Sequence, residues 1–166
     1  RLFTDFDANY YYVDDDATTL FFVTTSGAPN WRVLAVDRAA PGAASARTIV
    51  PEAREAIDAV AIAGDRLLVN YVKDARNVAR LFERSGKPVG DVPLPGPGSA
   101  GGFESKDGDA EAFFAFSDYL APTRILRLDV ATNEVTAFRI PKVDADTGAF
   151  VTEQVFFASK DGTRVP

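Results

Sequence analysis

The sequence predicts an all-β protein built from three consecutive four-stranded antiparallel blades of a β-propeller. Short aromatic and β-branched runs alternate with Gly, Pro, Asp and Asn, which is typical of short strands joined by tight turns. A pattern of about 46 residues recurs along the chain, and propeller blades have repeats of this length. Several runs are apolar at consecutive positions, as expected for strands of a sheet that is covered on both faces. Propellers typically close with about four to eight blades, so three blades are expected to form an incomplete ring.

The repeat is carried by two neighbouring strands. The first strand of the pair occupies residues 20–23, 66–69 and 112–115, at a constant spacing of 46 residues. The second occupies residues 32–37, 78–83 and 124–129 at the same spacing, and each copy ends on an acid, Asp37, Glu83 or Asp129. Chance similarity between β-hairpins is the alternative, but three copies without gaps in two paired strands favour repetition.

Strands are predicted wherever an aromatic or β-branched run lies between turn residues. In the first repeat these runs are residues 10–13, 19–25, 32–37 and 47–50, and in the second they are residues 57–61, 66–72, 78–83 and 89–94. The third repeat contributes residues 112–117, 124–129 and 134–140, and a last strand covers residues 154–158. Residues 52–62 also fit a short helix, because Ile57, Val60 and Ala61 have helical spacing. Asp161-Gly162 predicts a two-residue hairpin turn, since Gly adopts positive φ readily.

Composition excludes several classes of function. The net charge is −6 with scattered basic residues, which argues against nucleic-acid binding. Hydrophobic residues make up 46% of the chain and charged residues 25%, as in an ordinary soluble globular protein. No apolar run approaches the ~18 residues that span a bilayer, so no membrane association is predicted. The 13 Arg against 5 Lys favour a bacterial source, while the compartment, cytoplasmic or periplasmic, is left open.

The absence of histidine bears most directly on function. A Ser-His-Asp or Cys-His relay needs an imidazole to take and return a proton near neutral pH, and this chain has none. Cysteine is also absent, which excludes disulfides and thiolate metal sites. The chain by itself is therefore not expected to be an enzyme, and no catalytic residue is assigned.

Three other patterns suggest sites but have simpler interpretations. Residues 96–101 match GxGxxG, yet Pro97 interrupts the loop, and residues 102–108 after it are predicted to form a strand and a turn rather than a helix. An inter-blade crossover loop is therefore favoured over nucleotide binding. The run from Asp14 to Asp16 lacks the spaced ligands of a calcium loop, and it is interpreted as a solvated hairpin tip, as are residues 107–109 and 144–146. Ser117, Asp118 and Tyr119 are interpreted as a turn. No cofactor-binding or metal-ligating residue and no cofactor are predicted.

Several stretches resemble one known family. They are residues 24–32 (TTSGAPNWR), 50–52 (VPE), 94–99 (LPGPGS), 113–122 (FFAFSDYLAP) and 151–166 (VTEQVFFASKDGTRVP). Their order and spacing agree along nearly the whole chain with those of the prolyl oligopeptidases, a family of serine peptidases. The resemblance implies a seven-bladed propeller joined to an α/β-hydrolase domain. Residues 1–150 are then about the last three blades, and residues 151–166 form the strand that leads into the hydrolase domain.

The resemblance also implies a function. The parent enzyme is expected to hydrolyse short peptides after proline, with the propeller capping the active site and excluding large substrates. The family's catalytic serine, aspartate and histidine lie beyond the matching region, so this segment is non-catalytic, and its partners are the remaining blades and the hydrolase domain. The alternative is a self-associating, propeller-like interaction module, a homo-oligomer formed through its exposed end blades.

Overall fold

The computed structural model describes residues 2–5, 7–106, 108–142 and 147–166. Three four-stranded antiparallel sheets follow one another along the chain, and in each sheet consecutive strands pair with one another. Within the described ranges no helix has the length and apolarity needed to cross a membrane. The all-β prediction and the division into three four-stranded sheets are confirmed.

The strand bounds are as follows. The first sheet contains β1 (Tyr10–Asp15), β2 (Thr19–Thr24), β3 (Arg32–Asp37) and β4 (Arg47–Val50). The second contains β5 (Ala56–Ala63), β6 (Arg66–Lys73), β7 (Arg76–Glu83) and β8 (Pro88–Asp91). The third contains β9 (Ser99–Glu104), β10 (Glu111–Ser117), β11 (Arg124–Asp129) and β12 (Glu134–Arg139). A short hairpin follows, formed by β13 (Phe157–Ala158) and β14 (Arg164–Val165), and a 3-10 turn at Ala43–Ser45 precedes β4.

The sheets stack face to face because the middle one is apolar on both sides. Leu67, Val69 and Tyr71 of β6 pack in one core with Phe21 of the first sheet. Leu68, the residue between two of them, packs instead with the third sheet. Each of these fully buried side chains contributes about 1.5–3 kcal/mol to folding. At the inner edge β1 contacts β5 and β5 contacts β9, so the first strands of the three sheets converge, as they do in a propeller.

Several details of the sequence-based prediction are wrong. The strands predicted at residues 89–94 and 154–158 are shorter, Pro88–Asp91 and Phe157–Ala158. Strand β9 begins at Ser99, earlier than the strand and turn predicted for residues 102–108, because Gly101 and Gly102 lower β propensity and obscure its start. The strand predicted at residues 57–61 is confirmed as part of β5, so the alternative of a short helix at residues 52–62 is wrong; the apolar residues of β5 are divided between two buried faces. The turn at Asp161-Gly162 is longer than two residues, since Ala158 pairs with Arg164 and leaves residues 159–163 outside the ladder.

The repeat is not gapless. The acids that close β3, β7 and β11 keep the spacing of 46 residues. Their partners on the neighbouring strands do not, because Arg66 follows Thr19 by 47 residues and Glu111 follows Arg66 by 45. The cause is turn length: seven residues separate Thr24 from Arg32, whereas two separate Lys73 from Arg76. Because the two turns differ by an odd number of residues, β6 is displaced by one residue from the position that a gapless alignment with β2 gives it. A displacement of one residue moves each side chain of the strand to the other face of the sheet.

Asparagine side chains tie each sheet to the crossover that begins the next. Asn30, in the β2–β3 turn, donates through its side-chain amide to the backbone carbonyls of Ala53 and Arg54 at 3.3 Å, and its backbone carbonyl accepts the N–H of Ile57. In the second sheet the fully buried Asn70 donates to the carbonyl of Ala100 at 3.0 Å, and the side-chain oxygen of Asn77 accepts the N–H of Ala100 at 3.0 Å. These bonds satisfy backbone groups where one sheet ends and the next begins.

Two contacts fasten the first two sheets to each other at their other end. Arg84 donates to the carboxylate of Asp16 at 3.2 Å and to the carbonyl of Gly64 at 2.8 Å, so one side chain joins three turns. Gly86 lies at φ 93, and a Cβ there would come within 1.9 Å of the carbonyl oxygen of Ile49 in β4. The β7–β8 turn therefore approaches the first sheet more closely than any side chain permits.

We expect Gly86→Ala to lower the free energy of unfolding by about 2–4 kcal/mol, because it combines a positive φ with a backbone clash. Urea denaturation measures the change. Gly101→Ala is the matched control, since nothing lies within 4 Å of a Cβ at that position. Equal effects of the two substitutions would contradict the close approach at Gly86.

We expect the contribution of Arg84 to depend on pH. Burial acts to raise the pKa of Asp16, but hydrogen bonds from Thr18, Thr19 and Arg84 outweigh it and hold that pKa below its ordinary value of 3.8. A carboxyl with a lowered folded-state pKa adds stability above its unfolded-state pKa and loses it as pH falls through the folded-state value. Arg84→Met should therefore cost roughly 1–2 kcal/mol at pH 7 and less in strong acid.

Urea denaturation of this variant at several pH values measures the dependence. Arg47→Met is the control, because Arg47 makes no ion pair within the described part of the chain. A cost for Arg84→Met that stays constant between pH 7 and strong acid would show that the Asp16 pair contributes nothing.

Candidate docking face

The hairpin turns divide the molecule into two faces. The exit face is formed by the turns β2–β3, β6–β7 and β10–β11, at residues 25–31, 74–75 and 118–123. The opposite face is formed by the turns at residues 16–18, 64–65, 84–87 and 130–133. The C-terminal segment, residues 147–166, reaches the exit face, where the side-chain amide of Gln154 donates to the carbonyl of Asp74.

A cleft of about 390 Å³ lies between the exit face and the C-terminal segment. Its walls are the β6–β7 turn, the loop before β9, the β10–β11 turn, residues 152–155 and Pro166. The loop before β9 fits tightly, because a Cβ on Gly98 would lie 2.4 Å from the carbonyl oxygen of Ser117. Three neighbouring turns and the C-terminal segment thus form one continuous surface.

Large apolar side chains are exposed on the exit face and on the C-terminal segment. Tyr119 in the β10–β11 turn is 94% exposed, Ile140 after β12 is 62% exposed, and Val155 in the C-terminal segment is 69% exposed. None of the large exposed hydrophobic residues of the described chain lies in a turn of the opposite face. Five others lie on strands of the three sheets, so among the turns it is Tyr119 of the exit face that offers a large exposed apolar surface. An exposed group of this kind marks a candidate interaction site.

The turn that carries Tyr119 is held by polar contacts at its base. One carboxylate oxygen of Asp118 accepts the N–H groups of Leu120 and Ala121 at 2.9 and 2.8 Å. The other accepts a 2.5 Å hydrogen bond from Arg124, and both side chains of this ion pair are mostly buried. The guanidinium of Arg124 also lies over the ring of Phe116, 5.3 Å from its centre. The tip is exposed while its base is fixed.

Asp15 and Asp16 of the first hairpin form hydrogen bonds and an ion pair with neighbouring residues of the chain. One oxygen of Asp16 accepts the N–H groups of Thr18 and Thr19, both at 2.9 Å, and so closes the β1–β2 turn. Asp15 pairs with Arg38 and accepts the hydroxyl of Tyr12 at 2.6 Å. This hydrogen bond is the main cause that raises the pKa of Tyr12 to about 12, and also the main cause that lowers the pKa of Asp15.

The structure also places the other patterns noted in the sequence. Residues 96–98 lie in the crossover loop between β8 and β9, and residues 99–101 begin β9, so a strand rather than a helix follows the GxGxxG pattern. Ser117 ends β10, and Asp118 and Tyr119 occupy the turn, as predicted. Among the described residues no group of three or more acidic side chains could hold a metal ion. Asp107 and residues 144–146 lie outside the described residues.

Sequence reasoning did not single out Tyr119 as a functional residue. The turn itself was predicted, but its aromatic side chain was not distinguished from the many other aromatics. The available signal was an aromatic residue directly after Asp118, a residue type that closes turns through its side chain. Exposure and the position beside the C-terminal segment are visible only in the folded chain.

Comparisons with known proteins identify relatives along the whole chain. The family model described as prolyl oligopeptidase, N-terminal β-propeller domain, matches residues 1–141. The prolyl endopeptidase of Elizabethkingia meningoseptica is 31% identical over 165 residues, and that of Elizabethkingia miricola is 32% identical. Each alignment covers 99% of this chain but only 23% of the relative.

Solved structures agree with the sequence relatives. A structure from an analysis of two prolyl endopeptidases is 38% identical, has a TM-score of 0.85, and is matched over 96% of this chain and 23% of its own length. Prolyl oligopeptidase B from Galerina marginata without ligand is 22% identical with a TM-score of 0.86, and this likeness shows the fold alone.

We expect Asp118→Ala to loosen the β10–β11 turn. Because the carboxylate accepts two backbone N–H groups, its removal should accelerate amide hydrogen exchange at Leu120 and Ala121 by at least about fivefold. Asp129→Ala is the matched control on the opposite face, where Asp129 accepts the N–H groups of Ala131 and Thr132. Unchanged exchange at Leu120 and Ala121 would mean that Asp118 does not brace the turn.

Proposed function

This chain belongs to the prolyl oligopeptidase N-terminal β-propeller family, and on that premise we propose that it works within a serine peptidase that cleaves short peptides after proline. The observation that carries the proposal is the match of this family's propeller domain to residues 1–141. The lack of histidine supports a non-catalytic role, since a proton relay would have to come from another part of the enzyme.

The role we propose for the propeller is to cap the active site and exclude large substrates. Face-to-face stacking gives the blades a rigid core, and the asparagine ties at the crossovers hold neighbouring blades together. A rigid cap that covers a catalytic site admits short, flexible peptides and rejects folded chains. The exit face suits the side of the cap that meets the catalytic domain, because the C-terminal segment lies on it.

The proposed domain division follows from the same arrangement. Residues 1–150 are about the last three blades of a seven-bladed ring, and residues 151–166 lead into an α/β-hydrolase domain. The exposed apolar side chains of Val151 and Phe157 support this, since a segment at a domain junction acquires partners on both sides.

The outer side of the third sheet needs a cover. Phe113 and Phe138 stack edge to face there, 4.8 Å apart, and Phe138 is 55% exposed. We propose that another blade of the same ring packs on this side, as the second sheet packs on the first. A second copy of the chain is the alternative occupant. Sedimentation of the full-length protein distinguishes them: a monomer supports ring closure, and a dimer that Phe138→Ser dissociates supports self-association.

The proposed activity is tested with the full-length protein that contains this chain. It should release a chromophore from a short peptide with proline before the scissile bond, and replacing that proline by alanine should reduce kcat/KM about 100-fold. A serine-directed inhibitor should abolish turnover, and a folded protein substrate should remain intact. The chain by itself should show no turnover. Full-length protein without activity on the proline peptide, or inhibitor-sensitive turnover by this chain alone, would overturn the proposal.

A further inference from the structure

We propose that Tyr119 is the anchor through which the exit face seats on the catalytic domain, and this inference rests on the proposed function. The side chain is 94% exposed, so almost its entire ring faces solvent in this chain. A tyrosine buries roughly 150–250 Å² when it is covered, and tyrosines recur among the few residues that dominate interface energies. The hydroxyl can donate to a carbonyl of the partner surface while the ring provides apolar contact.

The turn is organised before any partner arrives. Asp118 fixes the backbone on the C-terminal side of Tyr119, and Arg124 fixes Asp118 while it rests on the buried ring of Phe116. A side chain that is presented on a rigid turn loses little conformational entropy when it binds. The turn therefore presents Tyr119 on a fixed base.

The other residues that line the cleft beside Tyr119 indicate which domain covers this side chain. Pro166 and residues 152–155 form its walls together with Tyr119. A domain that continues from Pro166 therefore begins beside the exposed ring, at high effective concentration. The C-terminal segment is held at this place by the hydrogen bond from Gln154 to Asp74.

Another blade of the ring is a poor fit for this position. Blades contact one another through the faces of their sheets, as the packing of Phe21 against Leu67 shows. Tyr119 lies at a hairpin tip, at the end of the third sheet rather than on its open side. A neighbouring blade thus covers Phe138 but leaves Tyr119 exposed.

Photo-crosslinking in the full-length enzyme tests the inference. Tyr119→p-benzoylphenylalanine should crosslink to residues beyond position 166 of the same polypeptide, with a yield at least about fivefold above that of Val89→p-benzoylphenylalanine. Val89 is the control because it lies half-exposed on β8, away from the cleft. Crosslinks confined to residues 2–166, to a second copy or to added peptide substrate, or no crosslink, would overturn it.

A second measurement keeps the test independent of crosslinking chemistry. Tyr119→Ser should accelerate amide hydrogen exchange in residues 152–155 of the full-length enzyme by at least about fivefold. Without the anchoring ring, the catalytic domain should separate more often from the exit face and expose these residues to solvent. Tyr119→Phe keeps the ring and should stay within about twofold of the wild type, as should Val89→Ser. Equal exchange in Tyr119→Ser and the wild type contradicts an anchoring role.

The peptidase assay separates this inference from the function on which it rests. If the enzyme cleaves proline peptides but the probe at position 119 forms no crosslink to residues beyond 166, the anchoring role of Tyr119 is refuted and the proposed function stands. Enzyme that is inactive on proline peptides, yet crosslinks as expected, refutes the function and leaves the docking contact standing.

Discussion

The architecture depends on burying both sides of a single sheet. In β6, alternate side chains enter two different cores, so the second sheet is stable only between two others. This requirement makes the chain grow by radial addition of similar units, because each new sheet offers another apolar side to be covered. The first sheet partly satisfies it with residues 2 and 3, whose side chains pack on Phe22, Leu34 and Val36. The third sheet has Phe138 and Ile125 on its open side, where we propose that the ring continues.

Polar contacts differ between the exit face and the opposite face of the stacked sheets, and this difference suits the exit face to the docking that we propose for it. At the opposite face, Arg84 and the close approach of Gly86 to β4 lock turns directly to each other. At the exit face, asparagines bind the crossovers at the base of the turns, and the tips remain available. A face whose turns are fixed underneath but uncovered on top can dock another body without rearranging. The exposed ring of Tyr119 in one of these turns fits that use.

Much of the fold could be predicted from sequence because its central strands are continuous apolar runs that are recognisable without a structure. The apolar runs of β2, β6 and β10 and their charged partner strands were found with nearly correct ends. The prediction failed where backbone geometry outweighs side-chain pattern. The glycines of β9 obscure the start of this inner strand at Ser99, because its pairing is supplied by β10 rather than by its own side-chain pattern. Tyr119 lies in a correctly predicted turn, but its importance comes from exposure and from the chain segment beside it, which no local pattern encodes.

The unequal hairpin turns have a consequence for how such a chain can change length. A gapless comparison equates Phe22 with Leu68, although Phe22 faces away from the second sheet and Leu68 faces onward to the third. Judged by the direction of the side chain, the equivalent of Leu68 is Phe21, which faces the second sheet. A one-residue error of this kind in an averaged repeat sequence would place every side chain of a β6-type strand in the wrong core. A change of turn length that shifts the neighbouring strand by one residue therefore preserves both cores only when the residues of that strand change as well.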